Sequence, residues 1–85
     1  MQEDSLLKRV LWDCRRGMLE LDVLLAPYAE AHFVAMNAQQ QEVFRRFLAA
    51  NDQELFLWLL RRQRPADPDF AHLVDHVLAF AQRQD

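Results

Sequence analysis

Apolar residues recur every three or four positions along most of this chain, the repeat expected of amphipathic helices. Leu6, Leu7, Val10, Leu11 and Cys14 make the first stripe. Met18, Leu21, Leu25, Tyr28 and Ala29 make the second, widened by Val23 and Leu24. Val43, Phe44, Phe47 and Leu48 form a third, and Leu55, Phe56, Leu59 and Leu60 a fourth. Leu73, Val74, Val77, Leu78 and Ala81 form a fifth. One glycine and three prolines in 85 residues, with few Val, Ile or Thr, leave little from which to build a sheet. The spacing predicts an all-α fold: a compact five-helix bundle in one small domain, residues 1–85, with an ordered core from about 5 to 82.

Helix-end signals divide the chain. Asp4 or Ser5 is placed to cap the first helix, and Gly17 to stop it as a left-handed residue. Arg15 and Arg16 then fall in the last turn, where cations suit the helix dipole. The second helix is expected to start straight after Gly17 and run to about Phe33, with a kink at Pro27, which has no N–H to give to the ladder. Asn37 with Gln40, and Asn51 with Glu54, read as capping boxes for helices three and four. The fourth helix is expected to end at Arg61 and Arg62. Asp67 caps the fifth, with Pro68 in its first position, and the last few residues are expected to fray.

Charge and composition exclude several functions. The net charge is -3, with acidic and basic residues mixed. The sequence therefore lacks the basic face that binding to phosphate backbones requires. Cys14 is the one cysteine, so no internal disulfide can form. The N-terminal residues have no signal-peptide pattern. The longest apolar run, residues 55–60, is far short of the ~20 needed to span a bilayer. These features point to a soluble, intracellular protein.

Little in the chain points to catalysis. His72 and His76 are four apart and face one side of a helix, but a zinc site needs further ligands, and the two read as surface residues. Cys14 lies on an apolar stripe and reads as a buried structural thiol. Glu20 and Asp22 point to different helix faces and cannot act on one atom. No phosphate-binding glycine loop or dinucleotide motif occurs. The chain is not expected to be an enzyme, to hold a metal, or to bind a cofactor stably by itself. Trp58, in an all-apolar run, reads as core. Trp12 lies off the first stripe, and an exposed tryptophan beside Arg16 would suit an interface.

Residues 14–22, CRRGMLELD, join the first two helices and hold the only glycine. Helix-end physics accounts for them: arginines at one end, a turn at Gly17, and Glu20 in the next first turn. With Gly17 as N-cap, Glu20 takes the capping-box position.

The same residues resemble a known signature. Arg16-Gly17-Met18-Leu19-Glu20 matches the RGxxE motif of the SdhE flavinylation factors, the assembly factors of succinate dehydrogenase. The likeness extends over residues 7–69, through LWDCRRGMLELDVLL, Pro27, Phe44 with Phe47-Leu48, Asn51-Asp52 before LFLWLL, and PADPD. It implies a five-helix bundle that binds the flavoprotein subunit of succinate dehydrogenase, and of the related fumarate reductase. It also implies that the protein promotes covalent attachment of FAD to a histidine of that subunit; the FAD belongs to the client, with at most weak contact here. Arg16, Gly17 and Glu20 carry over as partner-binding residues, with Asp22 and Trp12 beside them. The family often has a glycine before the proline loop, where this chain has Gln63 and Arg64. A regulatory, antitoxin-like interaction module is the alternative function.

Overall fold

A computed structural model describes residues 2–83. Five helices account for most of them: α1 (Gln2–Asp13), α2 (Leu19–His32), α3 (Ala38–Leu48), α4 (Asp52–Leu59) and α5 (Pro68–Arg83). The inward stripes meet in one core. Val10 and Cys14 from α1 and the turn after it pack with Leu21, Leu25 and Tyr28 of α2. Phe44 and Phe47 of α3, Leu55 and Leu59 of α4, and Val74 and Val77 of α5 complete it. No charged or polar residue is buried among the described residues. Burial of apolar surface, at about 25 cal/mol per Å², is thus the main force holding the bundle.

Aromatic edges fix the packing. Phe47, Trp58 and Phe70 join α3, α4 and α5, with ring centroids 5.4–5.8 Å apart. Trp58 is therefore core-packed, as its apolar run implies. A second cluster of Tyr28, His32 and Phe80 holds the end of α2 against α5 at 4.7–5.8 Å.

Several helix ends follow the sequence signals. Asn37 and Gln40 make a reciprocal capping box at 2.8 and 3.0 Å. The Asn51 side chain accepts the Glu54 N–H at 2.8 Å. The Asp67 carboxylate accepts the Asp69 N–H at 2.8 Å, and Pro68 opens α5. α2 runs through Pro27 as one helix. The fraying expected of the last residues falls partly on 84 and 85, outside the described residues.

Three ends differ from expectation. α1 already includes Gln2, so Asp4 and Ser5 lie within the helix and do not cap it. It stops at Asp13, leaving Arg15 and Arg16 beyond its last turn. Gly17 is not left-handed; side-chain acceptors, described below, hold the chain there instead. α4 ends at Leu59, short of Arg61 and Arg62. There the Arg61 N–H bonds the Trp58 carbonyl at 3.2 Å and the Arg62 N–H bonds that of Leu57 at 2.8 Å. This is a Schellman motif, with Arg61 at the left-handed position (φ 57°) that usually takes glycine. The Arg61 and Arg64 guanidiniums both meet Asp75 at 3.2 Å.

A candidate protein-docking site at the α1–α2 junction

The junction after α1 is held by Arg16. Its side chain is 15% exposed and reaches across the fold. Nη1 donates to the Asp13 carbonyl at 2.8 Å and to the Leu48 carbonyl at 2.9 Å. Nη2 donates to the Ala50 carbonyl at 2.8 Å, and Nε to Asp52 Oδ1 at 2.7 Å. The carbonyls of Asp13 and Leu48 are among those left without partners where α1 and α3 end. One cation therefore caps two helix C-termini while facing an anion at the N-terminus of α4, and each placement agrees with the dipoles.

Two carboxylates hold the backbone of the same turn. Asp22 accepts the Arg16 N–H through Oδ1 at 2.5 Å. Asp52 Oδ2 accepts the Gly17 N–H at 3.0 Å. The hydrogen bond from Arg16, then that from Gly17, hold the Asp52 carboxyl below the usual carboxylate range.

Glu20 stands apart from this network. The N-cap of α2 is Met18, in extended conformation with no side-chain cap bond. That puts Glu20 one place short of the capping-box position expected with Gly17 as the cap. Glu20 is exposed and makes no ion pair or side-chain hydrogen bond among the described residues. Trp12 is 70% exposed, and the guanidinium over its ring at 5.6 Å is that of Arg15, not Arg16. Leu19 and Val23, one helical turn apart on α2, are 72% and 58% exposed. The junction thus presents an exposed carboxylate, the bare backbone of Gly17 and large apolar side chains.

The other candidate chemistry is not brought together. His72 and His76 are exposed, with ring centroids 6.1 Å apart. With His32, Tyr28 and Asp69 they line an open groove of about 270 Å³. Among the described residues, no three His, Cys, Asp or Glu side chains come close enough to hold a metal ion. Cys14 is buried, and its thiol is pushed up to about 12, first by burial and then by the charge of Asp13. No helix among the described residues is long and apolar enough to cross a membrane.

A family model described as Sdh5, flavinator of succinate dehydrogenase, matches residues 8–81. This chain belongs to the Sdh5 family. Among its Sdh5-family relatives, the FAD assembly factor SdhE of Pseudomonas aeruginosa is 41% identical over 78 residues, covering 92% of this chain and 93% of that protein. The FAD assembly factor SdhE of Pasteurella multocida is 44% identical over 69 residues, covering 81% and 82%. The solution structure of a UPF0350 protein superposes with a TM-score of 0.77 at 33% identity, covering 95% of this chain and 86% of that one. The five-helix architecture is therefore shared with a solved structure. Sequence reasoning named Arg16, Gly17, Glu20, Asp22 and Trp12; the structure joins Arg16, Gly17 and Asp22 in one hydrogen-bonded network and leaves Glu20 and Trp12 exposed outside it. That reasoning passed over Asp52, whose only signal was its place beside the Asn51 cap, Leu19, an unspecified position of the motif, and Val23, which read as widening the apolar face of the second helix.

Proposed function

We propose that this chain is an FAD assembly factor. It binds the flavoprotein subunit of succinate dehydrogenase and promotes covalent attachment of FAD to it. The observation that carries this reading is the division of labour within the RGxxE motif. Arg16 is turned inward to build the junction, whereas Glu20 is left in solvent beside Gly17, with no partner among the described residues. A carboxylate held on a rigid turn is suited to a charge-assisted hydrogen bond with a docking protein. Trp12 and Leu19, both exposed at the ends of the two helices that the junction connects, supply apolar area.

The factor acts through its client. It binds the FAD-loaded, closed form of the subunit better than the open form and so raises the reactive population. Holding the accepting side chain against the flavin supplies the rest, by positioning. The bond-forming chemistry stays with the client, so the factor is not an enzyme and needs no cofactor of its own. The same surface serves the fumarate reductase flavoprotein subunit, and the protein works in the cytoplasm where these subunits load FAD. Covalent flavin fluorescence of the purified client subunit, incubated with FAD with and without this protein, tests the proposal. Faster or more complete incorporation is expected; equal incorporation in both samples defeats it.

A further inference from the structure

We propose that Asp52, outside the motif, is the positioning residue of the docking junction, and that position 17 requires glycine to make room for its carboxylate. The inference rests on the junction being the client-binding site. Asp52 is the first residue of α4, but it is not needed to cap its own helix, because Asn51 does that. Its carboxylate points across to the junction. Oδ1 takes Arg16 Nε at 2.7 Å and Oδ2 takes the Gly17 N–H at 3.0 Å, so one side chain grips two consecutive motif residues.

The geometry around Gly17 gives the second half. Its φ is not in the left-handed region, so its backbone conformation is open to any residue. A Cβ built there meets one neighbour, Asp52 Oδ2, at 3.2 Å, closer than ordinary van der Waals contact. An added methyl pushes against the atom that accepts the Gly17 N–H. The carboxylate must then shift, and the Arg16 ion pair shifts with it. Within the chain, Asp52 is the neighbour that a side chain at position 17 would displace, by a few tenths of an ångström. The alternative is that the client's own backbone needs the space.

A double-mutant cycle separates the two. Client affinity is measured for wild type, Gly17→Ala, Asp52→Ala and the double variant, under conditions where circular dichroism shows all four folded. In the wild-type background Gly17→Ala is expected to weaken binding at least about threefold; with Asp52 already removed, the same change adds little, a coupling within the range of contacting residues. Hydrogen exchange at the Gly17 amide should also speed up in Asp52→Ala. Asp52→Asn, whose amide oxygen accepts only one of the two bonds, should fall between; Asp52→Ser, which keeps a polar group but vacates the carboxylate's space, replaces Asp52→Ala in the cycle if that variant does not fold. Equal losses from Gly17→Ala in both backgrounds overturn the inference, as does wild-type affinity in Asp52→Ala. If wild type binds no client at all, the proposed function fails separately. The cycle is then read from Gly17 amide exchange and melting temperature, where coupling supports the inference and additivity overturns it.

Discussion

The Arg16 guanidinium meets the Asp52 carboxylate at 2.7 Å across 36 positions of chain. The cation lies at the C-terminal ends of α1 and α3 and the anion at the start of α4, so the pair is favoured by three helix dipoles as well as by its own attraction. Because the same guanidinium satisfies the carbonyls of Asp13, Leu48 and Ala50, its removal leaves more than one broken bond.

Arg16 and Glu20 should therefore separate in mutagenesis although both belong to one motif. Arg16→Ala is expected to cost about 2–4 kcal/mol of stability, from lost charged hydrogen bonds and carbonyls without partners. Glu20→Ala should change stability by less than about 0.5 kcal/mol, as exposed sites do, while slowing client flavinylation. Urea denaturation of both variants beside the flavin-incorporation assay checks this. A destabilised Glu20→Ala would return that residue to a structural role.

Trp12 gives a test of the apolar part of the surface. It is 70% exposed and stacks only under Arg15, so Trp12→Ala should leave the urea midpoint nearly unchanged. Loss of an interface tryptophan typically costs 2 kcal/mol or more of binding, roughly thirtyfold. Calorimetric titration against the client subunit would show it, and unchanged affinity would take Trp12 out of the interface.

The pH dependence of the junction has a definite sign. The carboxyl of Asp52 is depressed in the folded chain, chiefly by its hydrogen bond from Arg16 and next by that from Gly17. Its contribution is therefore complete above the unfolded carboxylate value, about 3.9, and is lost as pH falls through the lower folded value. The stability gap between wild type and Asp52→Asn should stay level from neutral pH to about 4 and narrow below it. Chemical denaturation at a series of pH values measures the gap. A gap that narrows well above that point would show that the carboxyl is not depressed.

Arg61 offers a gain instead of a loss. It occupies the left-handed place in the α4 cap, with φ 57°, where a side chain costs about 1–2 kcal/mol. Its ion pair with Asp75 is exposed and returns little of that. Arg61→Gly should raise stability by about 0.5 kcal/mol and the melting temperature by roughly 2–4 °C. Scanning calorimetry decides it.

Cys14 should be inert in the native state. Burial raises its thiol to about 12, so almost no thiolate exists at neutral pH. Its reaction with a disulfide reagent should proceed only through opening of the chain, its rate levelling off at the unfolding rate when reagent is in large excess. Rapid labelling of the folded protein would show that the site is open.

How far the sequence was legible depended on the range of each interaction. Asn37 with Gln40, Asn51 with Glu54, and Asp67 with Pro68 signal their helix ends within four residues, and the five stripes signal the core. The junction misled because its determinants are distant. Arg16 and Gly17 look like a helix ending in a glycine stop. Besides the nearby Asp13 and Asp22, the partners that hold them, Leu48, Ala50 and Asp52, lie more than 30 residues away. Two of those partners act through backbone carbonyls, which every residue type carries. Likewise Arg61 gave no sign of a left-handed cap, since the sequence signal for one is glycine.

The reach of Arg16 also sets the order in which the molecule becomes competent. Residues 16–20 are complete early in synthesis, but the groups that fix them come from the end of α3 and the start of α4. Closing so long a loop carries an entropic cost that only assembly of the later helices offsets. A nascent chain that has emerged no further than residue 47 has the whole signature and lacks the Leu48, Ala50 and Asp52 acceptors that shape it. If the junction is the docking site proposed above, recognition of the client is deferred until most of the bundle has folded, and an unfinished factor has no formed junction with which to occupy an empty flavoprotein.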